Sequence, residues 1–148
     1  MKLSHHTDYA LRLLIYLAVH TDRPATIQEV AEAYGVSAHH LAKVAQEMVH
    51  ANWVVSSRGR GGGLRLARKP AAISLGAVIR RTETSFALVE CLAGESTCPI
   101  EPACRLKGVL TEARDAFLAV IDQYTLADLM RQRRALVPLL LHGDTADG

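Results

Sequence analysis

The sequence predicts a mainly α-helical chain with one small β-hairpin, and three observations carry that prediction. Apolar residues recur at helical spacing in successive stretches of the first half. Between positions 53 and 67 the period changes to two around a run of glycines. After position 106 an apolar seam continues over about two and a half heptads.

The first helix is expected over residues 7–20, where Leu11, Leu14, Ile15 and Ala18 repeat and Leu13 and Leu17 widen the apolar face. Thr21-Asp22-Arg23-Pro24 breaks it. Thr26-Ile27-Gln28-Glu29 has the form of a capping box, which opens a short helix that ends near Tyr34 and is stopped by Gly35. Ser37 caps a third helix with Leu41, Val44, Ala45 and Met48 as its buried stripe. Trp53-Val54-Val55-Ser56 is β-rich and Leu64-Arg65-Leu66-Ala67 alternates, so with the glycine-rich loop between them they read as a hairpin. Ser74 caps a helix through about Arg81, and Phe86-Ala87-Leu88-Val89 leads into a cysteine segment that Pro99 and Pro102 keep irregular. A long helix over residues 106–124 carries Leu106, Val109, Leu110, Ala113, Phe117, Val120 and Tyr124 as a seam for packing or pairing. Residues 143–148 are expected to fray.

With 148 residues the chain can form one domain with a real core, or a small domain plus a dimerisation extension. Hydrophobic residues make up 49% and charged residues 22%, an ordinary balance for a soluble globular protein. No run approaches the roughly 18 apolar residues that span a bilayer. Asp8 precedes any apolar stretch, so the start does not read as a secretory signal, and a cytoplasmic protein without a membrane partner is expected. The net charge of +2 is unevenly spread: residues 1–90 sum to +4 and residues 91–148 to −2. Five cations and no acid fall within residues 56–70, namely Arg58, Arg60, Arg65, Arg68 and Lys69. Such a cluster is either a solvated basic loop or an element that faces phosphates.

Ala31, Gly35 and Leu41 favour the second reading. A helix-turn-helix needs a small residue where its helices cross, a positive φ in the turn four residues later, and an aliphatic plug six residues further on. These three residues stand at those offsets, and the caps at Thr26 and Ser37 and the basic hairpin downstream fit the same arrangement. The chain is therefore expected to be a winged helix-turn-helix plus a long dimerisation helix, binding a double-stranded DNA operator as a homodimer and acting as no enzyme. The exposed first turn of the third helix offers Ser37, Ala38, His39, His40 and Lys43 to base edges. The wing offers Arg58, Gly59, Arg60, Gly61 and Arg65, with glycines for close backbone approach and arginines for phosphate or minor-groove contact.

Cys91, Cys98 and Cys104 are the only cysteines, with six and five residues between them. An odd count argues against a disulfide framework. Soft thiolates select iron–sulfur clusters, zinc or cuprous copper. Zinc sites usually include a ligand pair two to four residues apart, which is absent here. The wide spacings and the prolines suit a loop around a larger inorganic core, whose fourth ligand must come from elsewhere.

In these features the sequence resembles the iron–sulfur winged-helix repressors of the IscR type, and among them the nitric-oxide-sensing members. The resemblance covers nearly the whole chain, from LSHHTDYALRLLIYL at residues 3–17 and SSRGRGGGLRLAR at 56–68 to Cys91, CPIEPACRL at 98–106, ARDAFL at 113–118 and YTLADL at 124–129. It implies a winged domain over residues 1–85, a cluster-binding loop over 86–105, and a dimerisation helix with a C-terminal segment over 106–142. It implies one cluster per subunit, 4Fe–4S or 2Fe–2S, on Cys91, Cys98 and Cys104, whose nitrosylation releases operators of nitric oxide detoxification genes. In such proteins an acidic residue of the other subunit can complete the cluster, and Asp8 of the partner subunit stands at the matching place. Asp8 also suits a first helical turn, where an acid favours the helix dipole. Arg12, one turn on, lies near the DNA-facing side or partners Asp8. The competing readings are a repressor of the same scaffold that responds to iron–sulfur status or redox state, an iron–sulfur electron-transfer enzyme, and a zinc-stabilised module.

Overall fold

A computed structural model describes residues 1–141; positions 142–148, including the last residue of the expected 106–142 segment and the expected frayed end, lie outside the described residues. The order is α1 (His5–Val19), α2 (Ile27–Tyr34), α3 (Ala38–His50), β1 (Val54–Ser57), β2 (Gly63–Leu66), α4 (Leu75–Thr82), α5 (Arg105–Asp122), α6 (Leu126–Leu129) and α7 (Arg133–Leu140). Short 3-10 turns occupy Pro70–Ala72, Glu90–Leu92, Glu101–Ala103 and Met130–Gln132. The mainly helical fold with one small hairpin is thus as the sequence predicts.

α1 is the central element, packed against α2, α3, α4, α6, α7 and β2. It starts two residues before the expected boundary because the Ser4 hydroxyl caps it, accepting from the Thr7 amide at 3.2 Å. The Ser4 amide donates to Glu83 at 2.6 Å, and the buried Thr7 and Thr82 hydroxyls bond at 2.8 Å, so the start of α1 is tied to the end of α4. Leu13, Leu14 and Leu17 of α1 meet Val30, Leu41, Val44, Met48, Ile73 and Val78, all almost fully buried, in one core.

The capping box forms as read: Thr26 Oγ1 accepts from the Glu29 amide at 3.1 Å and Glu29 Oε2 accepts from the Thr26 amide at 2.7 Å. Gly35 ends α2 at φ +63°, with open space where a Cβ would stand, so it is the left-handed backbone that requires glycine there. β1 and β2 pair antiparallel from Val54–Leu66 to Ser57–Gly63. A bridge unforeseen in the sequence adds Ala25 beside Leu64, with backbone bonds of 3.0 and 2.8 Å.

The C-terminal segment folds back onto the same core. Leu126 and Leu140 are buried there, and Arg133 donates to the Val19 carbonyl at 2.7 Å, satisfying an orphan acceptor at the end of α1. α5 differs from every other long helix in having no buried residue. Its C-terminal end is laced to α4. Arg80 grips Asp122 with two hydrogen bonds, Nη2 to Oδ2 at 2.7 Å, while the Leu75 amide donates to the Tyr124 carbonyl at 3.0 Å and the Leu126 amide to the Ile73 carbonyl at 2.9 Å. Gly76 permits this, because a Cβ there would collide with Asp122 Oδ1.

Candidate nucleic-acid interface and cysteine cavity

Ala31 is buried where α2 and α3 cross, and Leu41 and Val44 point into the core, which turns the opposite face of α3 outward. His39, His40 and Lys43 are exposed on that face, whereas Ala38 is half-buried against the core. Ser37 accepts the His40 amide at 3.3 Å as N-cap and keeps its hydroxyl proton to donate. The His40 ring stands edge-on to Tyr9 at 5.7 Å, so one side of it is already engaged.

At the wing, Gly59 and Gly61 take φ +89° and +71° and Arg58 and Arg60 project from the tip into solvent. Arg58 and Arg60 form no ion pair among the described residues. Arg65 is tethered instead, donating to the Thr21 carbonyl at 3.3 Å, and Arg68 donates to the Asn52 carbonyl at 3.0 Å. The three wing arginines therefore divide: two free cations at the tip and one at the base. Arg60→Ala is expected to weaken DNA binding at low and moderate salt and to flatten the salt dependence by about 0.9 log units per log unit of salt, the value for one phosphate contact. Titrations across a salt series check this, and an unchanged slope removes Arg60 from the interface.

Of the two places the sequence leaves open for Arg12, the structure shows the pairing. Its Nη2 lies 2.9 Å from Asp8 Oδ2 and its Nε 3.0 Å from Oδ1. The guanidinium also sits 5.6 Å over the Tyr34 ring. Burial pushes the Tyr34 hydroxyl up to about 12, so it stays protonated beneath that cation.

The cysteine segment winds through two 3-10 turns and brings Cys91, Cys98 and Cys104 to the wall of one open cavity of about 450 Å³. Val89, Ile100, Leu106 and Leu110 supply its apolar part and Glu90 and Lys107 its charges. Cys98 is exposed and the other two are half-buried, all three as free thiols. Asp8 does not line this cavity in its own chain, nor do His5 and His6. His6 is held by Glu47 at 2.6 Å, which Arg81 also reaches at 3.3 Å. Among the described residues no three His, Cys, Asp or Glu side chains converge to hold a single metal ion.

Lys107 is a charged cavity residue that the sequence reading passed over. It follows Cys104 by three positions, one turn into α5, which is the signal that places it beside the thiols. Its ammonium bonds Glu101 Oε1 at 2.5 Å. That bond raises the Lys107 pKa and lowers that of Glu101, so both stay charged.

The family model for Rrf2, described as iron-dependent transcriptional regulators, matches residues 3–132. The chain belongs to the Rrf2 family. It is 45% identical over 142 residues, covering 95% of the chain and 97% of the relative, to the HTH-type transcriptional regulator NsrR of Geobacillus kaustophilus. To the regulator of the same name from Bacillus subtilis it is 46% identical over 144 residues, with coverage of 95% and 97%. Among solved structures it is similar to CymR, the global cysteine regulator of B. subtilis, at TM-score 0.66 and 33% identity over 87% of this chain and 95% of that one. It is also similar to T. potens IscR at TM-score 0.72 and 26% identity over 100% and 94%. Membership of the Rrf2 family makes the protein a transcriptional regulator and not an enzyme, and no helix among the described residues is long and apolar enough to cross a membrane.

Proposed function

We propose that the protein is a cytoplasmic, homodimeric transcriptional repressor that carries one iron–sulfur cluster per subunit and senses nitric oxide. The observation that carries this reading is that the chain's three cysteines line a single cavity at the foot of α5. Cys91, Cys98 and Cys104 would hold the cluster, with Asp8 of the partner subunit as the fourth ligand. When bound, the cluster supplies iron that nitric oxide attacks. Residues 1–85 would read DNA, 86–105 hold the cluster, and 106–142 join the subunits. The identity to regulators named NsrR and the cysteine spacing support nitric oxide as the signal.

α5 supports the dimer. Leu106, Val109 and Val120 are 60%, 51% and 52% exposed on it, an apolar seam that a second copy would cover. Two subunits so joined present their α3 helices to major grooves roughly 34–36 Å apart, or a multiple of that distance, on a pseudo-palindromic operator. The experiment is an absorption spectrum of anaerobically purified protein before and after nitric oxide, with operator retention and sedimentation followed on the same samples. The expected result is a coloured dimer that loses both its spectrum and its operator on nitric oxide. A colourless protein, a monomer at micromolar concentration, or a coloured protein indifferent to nitric oxide each overturns the corresponding part.

A further inference from the structure

Two adjacent arginines of α4 grip two different helices. Arg80 holds α5, with Nη2 donating to Asp122 Oδ2 at 2.7 Å. Arg81 holds α3, with Nε donating to Glu47 Oε1 at 3.3 Å. Consecutive residues of a helix point about 100° apart, so one short helix can serve both neighbours. The second oxygen of Glu47 is also engaged, since His6 Nε2 of α1 lies 2.6 Å from Oε2. The two partners of Glu47 belong to one knot. The start of α1 is bonded to the end of α4 through the buried Thr7 and Thr82 hydroxyls at 2.8 Å, and through the Ser4 amide and Glu83 at 2.6 Å. Glu47 therefore ties the helix offered to DNA directly to the helix that carries α5.

The Glu47–Arg81 pair adds little to stability, because its side chains are 29% and 47% exposed. Its value is directional. Apolar contacts in the shared core resist separation of the helices but do not prescribe an angle, whereas hydrogen bonds do. Both oxygens of Glu47 are satisfied in only one relation of α3 to α1 and α4.

We infer that Glu47 and Arg81 are positioning residues that set the angle of each recognition helix to the α4–α5 arm, and thereby the half-site spacing the dimer accepts. The inference rests on the proposed reading of a homodimer joined through α5 on a pseudo-palindromic operator. In that dimer the two α3 helices are related through Glu47, Arg81, Arg80 and Asp122 of each subunit. One added base pair turns a half-site by about 35° and moves it by about 3.4 Å relative to the other. A fixed linkage cannot follow that change. A loosened one follows part of it, and loses affinity on the natural spacing because fewer molecules hold the competent orientation.

The probe is the inverted-repeat duplex that anaerobically purified wild-type protein selects from a random-sequence pool. It is used beside two derivatives, one with a half-site scrambled and one with a base pair inserted at its centre. Glu47→Gln keeps the shape of the side chain but can no longer accept from both neighbours. It should bind the scrambled duplex within about twofold of wild type and the intact repeat about tenfold more weakly. Its penalty for the inserted base pair should shrink about threefold. Arg81→Met should do the same, and the double variant should be no worse than either alone, because the two residues act as one link. Arg81→Met should also leave the salt slope on the scrambled duplex unchanged, which a phosphate-contacting arginine would not. Wild-type affinity and an undiminished insertion penalty in both variants overturn the inference. So do equal losses on the scrambled and intact duplexes, which would make the pair a DNA contact or a support of the fold. If the wild-type protein selects no duplex or sediments as a monomer, the proposed function fails and the inference fails with it.

Discussion

Cys98→Ala is expected to give a colourless protein that folds as wild type but no longer represses. Cys98 is exposed and is held through its backbone, its amide donating to Ser96 Oγ and its carbonyl accepting from the Glu101 amide. Trimming its sulfur should therefore change stability by no more than about 0.5 kcal/mol. If the three cysteines hold a cluster, as proposed, the cost to it is of another order, since the sequence has three cysteines and none in reserve. Absorption, iron content and thermal melting on the same sample check this. Retained colour would show that Cys98 is no ligand. Asp8→Ala is the companion measurement, expected to keep some cluster while changing its spectrum and its response to nitric oxide. It also strips Arg12 of its partner at 2.9 Å, so Arg12→Ala serves as control. If Asp8→Ala alters neither property while Cys98→Ala abolishes both, the fourth ligand must be sought at His5 or His6.

Gly63→Ala is expected to disable the wing while leaving the helices intact. Gly63 has φ +150°, and a Cβ there would lie 2.7 Å from the Ala25 carbonyl oxygen and 3.1 Å from Pro24 Cβ. The obstacle is backbone, which cannot swing aside as a flexible side chain can. Strain of about 1–3 kcal/mol at this position exceeds what a two-stranded ribbon can absorb unshifted, so the bridge to Ala25 should open. Operator affinity should fall about tenfold or more, with the far-ultraviolet signal of the helices unchanged. Gly61→Ala separates the causes: its φ is +71° but nothing lies within 4 Å of its Cβ, so it bears backbone strain without collision. Equal losses in the two variants would show that conformation, and not the contact with Ala25, fixes the wing.

What could be read in the sequence was local. The box at Thr26–Glu29, the stop at Gly35 and the cap at Ser37 each involve residues three or four apart, and all three form as the sequence indicates. The stripe Leu41, Val44, Ala45 and Met48 is buried because one period decides one face. What could not be read depends on residues far apart in the chain. Ala25 pairs with Leu64 across nearly 40 positions, and Arg133 reaches Val19 across 114. α6 has four residues, too few for a helical period to show, yet Leu126 is fully buried. The cysteines were legible by their spacing and by the softness of thiolate ligands, but their shared cavity depends on how two 3-10 turns fold the loop back. Lys107 went unnoticed because a lysine in a helix is ordinarily a solvated one.

α5 joins two places that the sequence keeps apart. Its first residue follows Cys104 directly, and its last is Asp122, gripped by Arg80 beside Gly76. At about 1.5 Å per residue the rod between them is roughly 27 Å long, so a shift of about 2 Å at its free end corresponds to a turn of about four degrees at its anchor. The anchor adjoins Ser74, the residue that caps α4, and the far end of α4 is bonded through Thr82 to Thr7 in the central helix. The helix thus has the proportions of a crank: a small, local displacement on one arm becomes an angular one at a shaft on which the whole reading head is mounted.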